Sequence, residues 1–370
     1  MQSVGALLLR ALVSTRDLLL TLPVVLLALP LWALPWPLAA RLGRFYGRSA
    51  ALGWPLARRV AMINLRRALG LERAAARRLT FEVFAHLGQS IADGLQCARR
   101  RNTTSAGSDQ SDGSDGSGAL AALYRIEDPE LAARLLADPR PKVFVMAHLG
   151  SWEMTAAALA QRFGKHGAAI ARKVDNPFLD ALVRRVRLDH PGQWIEKRGA
   201  TAAALGRLRA GDSVALLLDE NGGRRGTFVD FFGRPASTHR SAALLTLLAG
   251  AQLVAGAVVH DETRGERLFL LREIETCGGL AGGAAVHDLT QRVTATLEEW
   301  IRRYPNQWRW IHWRWRERPD GSSETYRRGD LRRAFAEPPP LAGAAGSEGS
   351  DTGDTVSTPS PGAARIPGNL

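Results

Sequence analysis

The chain has 370 residues, 45% of them hydrophobic, enough for one large domain or two small ones plus a membrane segment. Its two cysteines, Cys97 and Cys277, lie far apart without pair spacing, which argues against a disulfide framework and a thiolate metal site and fits a reducing compartment. The formal net charge of +13, carried mostly by arginine, selects anionic partners: nucleic acid, phospholipid headgroups or an acidic protein.

From Leu18 to Ala40 the sequence carries no charge, a length comparable to the ~20 residues that cross a bilayer core as a helix. Pro23, Pro30, Pro35 and Pro37 would kink such a helix, and Trp32 and Trp36 are of the type that settles at a lipid-water interface, so a re-entrant or tilted anchor fits as well as a straight span. A cleaved signal peptide fits less well, because the run is long and lacks a small-residue cleavage site. Arg41, Arg44, Arg48, Arg58, Arg59, Arg66 and Arg67 follow it, and positive charge beside a membrane segment stays on the cytoplasmic side. These features predict a membrane-attached protein with its body in the cytoplasm.

Five regions are expected. Residues 1–40 form the membrane anchor. Residues 41–101 follow as basic amphipathic helices, apolar positions at helical spacing with arginines between them, whose charged face either is solvated or rests on anionic headgroups. Residues 102–118 are small and polar, too poor in apolar surface to offset the entropy of ordering, and read as a flexible insertion. Residues 119–335 form an α/β domain, and 336–370, rich in Pro, Gly, Ala and Ser, a disordered tail.

Within the α/β region β-type runs at 143–147, 168–172, 214–218, 253–259 and 267–274 alternate with helices starting near Trp152, Pro177 and Ser241 and a long helix from Val286 to Tyr304. Alternation of this kind predicts an α/β fold with a mixed, mainly parallel sheet flanked by helices, and chemistry at strand ends.

In VFVMAHLGSWEMTAAALA a buried strand runs into His148, a turn at Gly150 and a helix that Ser151 is placed to cap, with Glu153 in its first turn. Across such a corner the imidazole and the carboxylate can meet. A histidine of ordinary pKa, about 6.5, accepts a proton from a hydroxyl at neutral pH, and a carboxylate on its other nitrogen fixes the tautomer. No nucleophile-elbow serine or cysteine accompanies the pair, so direct attack by an acceptor hydroxyl is expected rather than a covalent acyl-enzyme. The remaining histidines form no ligand-spaced cluster, and no metal is expected.

HLGSWE behind an apolar segment resembles the His-x4-Asp/Glu motif of glycerolipid acyltransferases, and most closely the lipid A biosynthesis branch, the lauroyl and myristoyl transferases. AIARKVDNPFLD resembles that branch's Arg-x-x-x-Asn-Pro segment through Arg172, Asn176 and Pro177, and IEKRGA its next basic turn through Lys197 and Arg198. LLLDENGGRRGTFVDFFGRPAST resembles its strand-Asp block and hairpin, with Asp219 at a strand end, although Glu220 stands where members commonly have Gln. NQWRWIHWRWRERP resembles its closing signature, with Gln307, Trp308, Trp310, His312, Arg314 and Arg318 in matching places.

The resemblance implies a glycerolipid acyltransferase-like fold and an O-acyltransferase that moves a fatty acyl chain from an acyl carrier protein or coenzyme A thioester to a hydroxyl of a lipid A precursor. His148 is then the base and Glu153 its partner, while Arg172, Asn176, Lys197, Arg198 and Asp219 bind substrate or the oxyanion. It implies no cofactor beyond the thioester co-substrate, and as partners the glycolipid, an acidic acyl carrier protein and an anionic phospholipid surface. Nucleic acid, which the interleaved Arg and Trp would also suit, is not the expected partner once the apolar segment is weighed. Acylation of another glycolipid or a lysophospholipid, or a non-enzymatic basic membrane scaffold, are the alternatives.

Overall fold

Four helices come first. In the computed structural model, which describes residues 4–105, 122–163, 168–171, 173–187, 194–196, 199–276 and 278–336, helix α1 (Val4–Ala33) continues through Pro23 and Pro30. The break falls at Leu34–Pro35, where Pro35 caps α2 (Trp36–Gly53) and Pro37 occupies its first turn, whose N–H groups have no intrahelical acceptor anyway. Helix α3 (Pro55–Leu69) ends on Gly70 in the left-handed region, and α4 (Arg73–Ser105) follows. The last four residues of α4 fall inside the stretch read as a flexible insertion; residues 106–118 of that stretch, and the expected tail from 337 on, lie outside the described residues.

The α/β region runs β1 (Arg125–Ile126), α5 (Pro129–Ala137), β2 (Lys142–Met146), α6 (Trp152–Phe163), β3 (Ala168–Ala171), α7 (Pro177–Arg187), β4 (Trp194–Glu196), α8 (Ala200–Arg209) and β5 (Val214–Leu217). A hairpin of β6 (Thr227–Asp230) and β7 (Pro235–Thr238) leads to α9 (Ser241–Ala249), β8 (Gln252–Asp261), β9 (Glu266–Ile274), α10 (Gly282–Arg303) and α11 (Arg328–Ala336). Seven strands form one sheet in the order β1-β9-β8-β2-β5-β3-β4, parallel at every pairing except β8 with β9. The fold is therefore the mixed, mainly parallel α/β sheet flanked by helices that the alternation predicts.

The central strand β2 is buried along its whole length, as a strand covered on both faces must be. Val143, Val145, Ala147 and Leu149 join the larger core cluster, with Leu216, Val293, Trp300 and Trp308. Phe144 and Met146 point the other way, into a second cluster with Met154, Leu159 and Phe269. This alternation of side chains is what holds the end of β2, and the residues that follow it, in one place.

Candidate active site

Parallel pairing fixes the first contact of the site. Met146 on β2 is in register with Leu217 on β5, and the Leu218 N–H donates to the Met146 carbonyl, so two residues further on His148 stands level with Asp219. The His148 backbone N–H donates to Asp219 Oδ2 at 2.9 Å, and His148 Nδ1 lies 2.9 Å from Asp219 Oδ1. The Trp308 indole N–H donates to Oδ2 at 2.8 Å, giving the carboxylate three hydrogen bonds.

Burial of the Asp219 carboxyl alone would raise its pKa, but the charge and hydrogen bonds of His148, with the Arg309 guanidinium behind, outweigh burial and hold it far below the ordinary carboxylate range. An ionised acceptor at Nδ1 requires the proton to sit there, which leaves Nε2 as the basic nitrogen. The His148 side chain is 11% exposed and that of Asp219 3%.

The turn that carries His148 is fixed from several sides. Its carbonyl accepts from the Arg309 N–H at 3.0 Å, and the Gly150 N–H donates to the Gln307 carbonyl at 3.0 Å. Gly150 has φ +58°, and a Cβ there would come within 2.2 Å of the Val258 carbonyl oxygen, so no other residue fits. The Ser151 hydroxyl donates to Asp93 of α4 instead of capping α6, and its backbone N–H is taken by the Val258 carbonyl at 2.9 Å.

The expected partner of the imidazole is corrected here: the carboxylate at Nδ1 is Asp219, which was expected to bind substrate. Glu153 lies in the first turn of α6, where it accepts the Trp152 indole N–H at 3.1 Å and packs against Gly94 of α4. The helix starts at Trp152, so the five-residue offset turns Glu153 toward α4 while the sheet brings Asp219 to the ring.

Asn176, expected to bind substrate, stands at the start of α7. Its Oδ1 accepts the N–H groups of Phe178 and Leu179 at 3.0 and 3.1 Å, starting α7, and its Nδ2 donates to the Asp17 carbonyl of α1 at 2.9 Å. With the Thr21 hydroxyl 3.3 Å away, the amide ties α7 to α1. Arg172, Lys197 and Arg198 lie outside the described residues.

The closing Trp-Arg segment wraps the site. Gln307 exchanges two hydrogen bonds with the backbone of His260 at the end of β8, and Trp310 donates to the Pro305 carbonyl at 2.7 Å. Arg309 pairs with Glu220, whose carboxyl would rise through burial but is held low chiefly by Arg309. Burial pushes the His312 imidazole down to about 4, so it is neutral, and its Nε2 accepts the Asn221 N–H at 2.9 Å. Arg314, fully buried, donates to the Ser237 carbonyl and the Thr238 hydroxyl and lies 4.9 Å over the Phe231 ring; burial lowers it to about 10.

Sequence reasoning missed Asn64, whose Nδ2 donates to the Trp310 and His312 carbonyls at 2.8 Å each, and Glu220 as the partner of Arg309. Neither lies near the residues it holds, so no local spacing reveals them. Among the described residues no group of His, Cys, Asp or Glu is placed to hold a metal.

An imidazole oriented in this way can take a proton from a hydroxyl. The chain is 30% identical over 149 residues to the lipid A biosynthesis palmitoleoyltransferase of Escherichia coli (strain K12), a stretch covering 36% of this chain and 47% of that protein. The same figures hold for a lipid A biosynthesis acyltransferase of Shigella flexneri, so the chain spans about half the length of these two relatives. Against the lipid A biosynthesis myristoyltransferase of Escherichia coli (strain K12) identity is 25% over 298 residues, 80% of this chain and 85% of the relative. The family model described as bacterial lipid A biosynthesis acyltransferase matches residues 12–317, from within α1 to the closing Trp-Arg segment, and the chain belongs to that family.

Proposed function

We propose that this protein transfers a fatty acyl chain from a thioester of acyl carrier protein or coenzyme A to a hydroxyl of a lipid A precursor, with His148 as the general base. The observation that carries the reading is the pairing of His148 Nδ1 with the ionised Asp219 at 2.9 Å, which leaves Nε2 as the nitrogen to meet a hydroxyl. As the acceptor oxygen attacks the thioester carbonyl, its proton passes to Nε2. The tetrahedral intermediate collapses with loss of the thiolate, and Nε2–H returns the proton to sulfur. Arg172, Lys197 and Arg198 are proposed to line the substrate region, meeting phosphate or the oxyanion. No cofactor takes part beyond the thioester.

The reaction is proposed to take place at the cytoplasmic face of the inner membrane. Thr15–Ala33 is a 19-residue helical stretch of mean hydropathy 1.6 with 17% of it buried, long and apolar enough to cross a bilayer. On α2 and its junction with α3, Leu38, Phe45, Leu52, Trp54 and Leu56 are also exposed, with Arg41 and Arg48 among them, a stripe suited to the headgroup layer of anionic lipid. Residues 1–40 are thus proposed as the anchor, 41–101 as the helices that rest on the membrane and 119–335 as the acyltransferase domain.

The experiment is mass spectrometry of lipids after incubating purified protein with acyl carrier protein or coenzyme A thioesters and a set of acceptors. The lipid A precursor should gain one acyl chain, and His148→Ala should lower that gain by roughly a thousandfold. Acylation of a lysophospholipid alone, or of no lipid, would refute the reading.

A further inference from the structure

One buried carboxylate plays no part in the proton transfer yet sits under the turn that carries the base. Asp93 of α4 is 1% exposed. Its Oδ1 accepts the Trp36 indole N–H at 2.6 Å and an Arg267 guanidinium N–H at 2.9 Å, and its Oδ2 accepts the Ser151 hydroxyl.

Two neighbours on the same face of α4 reach the same turn. The Ser90 hydroxyl donates to the Gly150 carbonyl at 2.8 Å, and Gly94 leaves room for Glu153, whose Cβ would lie 3.2 Å from any Cβ placed there. Positions 90, 93 and 94 share one face of a helix, so α4 supports Gly150, Ser151 and Glu153 as a set. The other end of the link is Trp36, the first residue after the break that ends α1, held between the Arg267 and Arg100 guanidinium groups at 4.4 and 4.9 Å from its ring.

We propose that Asp93 is a positioning residue for acyl transfer: by holding the Ser151 hydroxyl it sets the seat of the 148–151 turn, and so where Nε2 of His148 meets the acceptor, and it ties that turn to the end of the apolar helix through Trp36. This rests on the acyl-transfer reading above. Three donors converge on two carboxylate oxygens, and an amide in their place has one acceptor oxygen and two N–H groups, so Asp93→Asn must turn N–H toward Ser151 or toward Trp36 and Arg267. A plain structural ion pair with Arg267 would not need the serine hydroxyl, which separates the two roles. Misplacing a reacting group by about 1 Å costs on the order of a hundredfold in rate, so a loosened turn should register in turnover.

The test is kcat and KM for the acceptor lipid, with melting temperature, of full-length Ser151→Ala, Ser151→Thr, Asp93→Asn and the Asp93→Asn/Ser151→Ala double variant. Ser151→Ala leaves the Asp93–Arg267 pair intact, so it reports on positioning even where Asp93→Asn does not fold. Expected are a roughly tenfold or greater fall in kcat for Ser151→Ala and Asp93→Asn with KM within twofold, recovery of most of the loss in Ser151→Thr, and a double variant no slower than Asp93→Asn. A kcat for Ser151→Ala within twofold of the wild type, whatever its melting temperature, or a loss confined to KM, overturns the proposal. Wild-type protein that transfers no acyl chain instead overturns the functional reading on which it stands.

Discussion

Asp219 does two things at once: it fixes the His148 tautomer through Nδ1, and through the backbone N–H of the same residue it fixes where the ring starts. Asp219→Asn keeps the shape but offers Nδ1 no charge, and kcat should fall by roughly a thousandfold while the protein stays folded by circular dichroism. His312 has a pH signature of its own. Burial favours its neutral form, so the unfolded chain takes up the proton first: the contribution to stability is complete above about 6.5 and is lost as pH falls toward about 4. Melting curves at pH 7.5 and pH 5 should show the wild type losing more stability than His312→Gln over that interval. The sequence makes His148 legible because a buried apolar strand ends on it. Glu153 is its neighbour in the chain, whereas Asp219 is its neighbour only through β2–β5 register, 71 residues away, which no local spacing contains.

Among the elements, the helix crossing of α2 with α4 is closest where side chains are absent. A Cβ at Gly47 would lie 1.9 Å from the Phe84 carbonyl oxygen, and one at Gly88 equally near that of Gly43. Gly47→Leu should therefore separate α2 from α4 and cost about 1–3 kcal/mol, read as a lower denaturant midpoint. Gly150→Ala adds left-handed backbone strain to a clash with β8 and should cost roughly 2–5 kcal/mol, with activity falling in step. Strands β2, β5 and β8 are legible in the sequence as apolar runs, the mark of buried strands, and β9 by its shorter core Leu268–Leu271 between charged residues. Strand β4, three residues long, and α8, whose alanines and glycine give it little amphipathic contrast, carry no such signal and owe their place to pairing with β3 and packing beside it. The N-terminal prolines mislead in the other direction, since α1 absorbs two of them and only the pair at Pro35 and Pro37 marks a boundary.

Over the whole molecule the arginine excess is divided between inside and outside. Arg67 pairs with Glu324 in the interior and Arg267 with Asp93, pairs that cancel in the net charge and take nothing from the +13, whereas Arg314 is enclosed. If the exposed stripe on α2 rests on lipid, Phe45→Glu with Leu52→Glu should weaken binding of the full chain to phosphatidylglycerol vesicles about tenfold or more, measured by co-flotation, because two apolar groups leave the interface and two like charges enter it. Unchanged flotation would leave α1 as the sole attachment. The central claim is that the imidazole and the carboxylate of two neighbouring strands act as one unit in acyl transfer. A double-mutant cycle on the acyl-transfer rate, with His148→Gln, Asp219→Asn and both together, measures this directly. The account predicts that each single variant loses roughly a thousandfold and that the pair loses little more than either alone; either single variant within a few-fold of wild type, or losses that multiply, would contradict it.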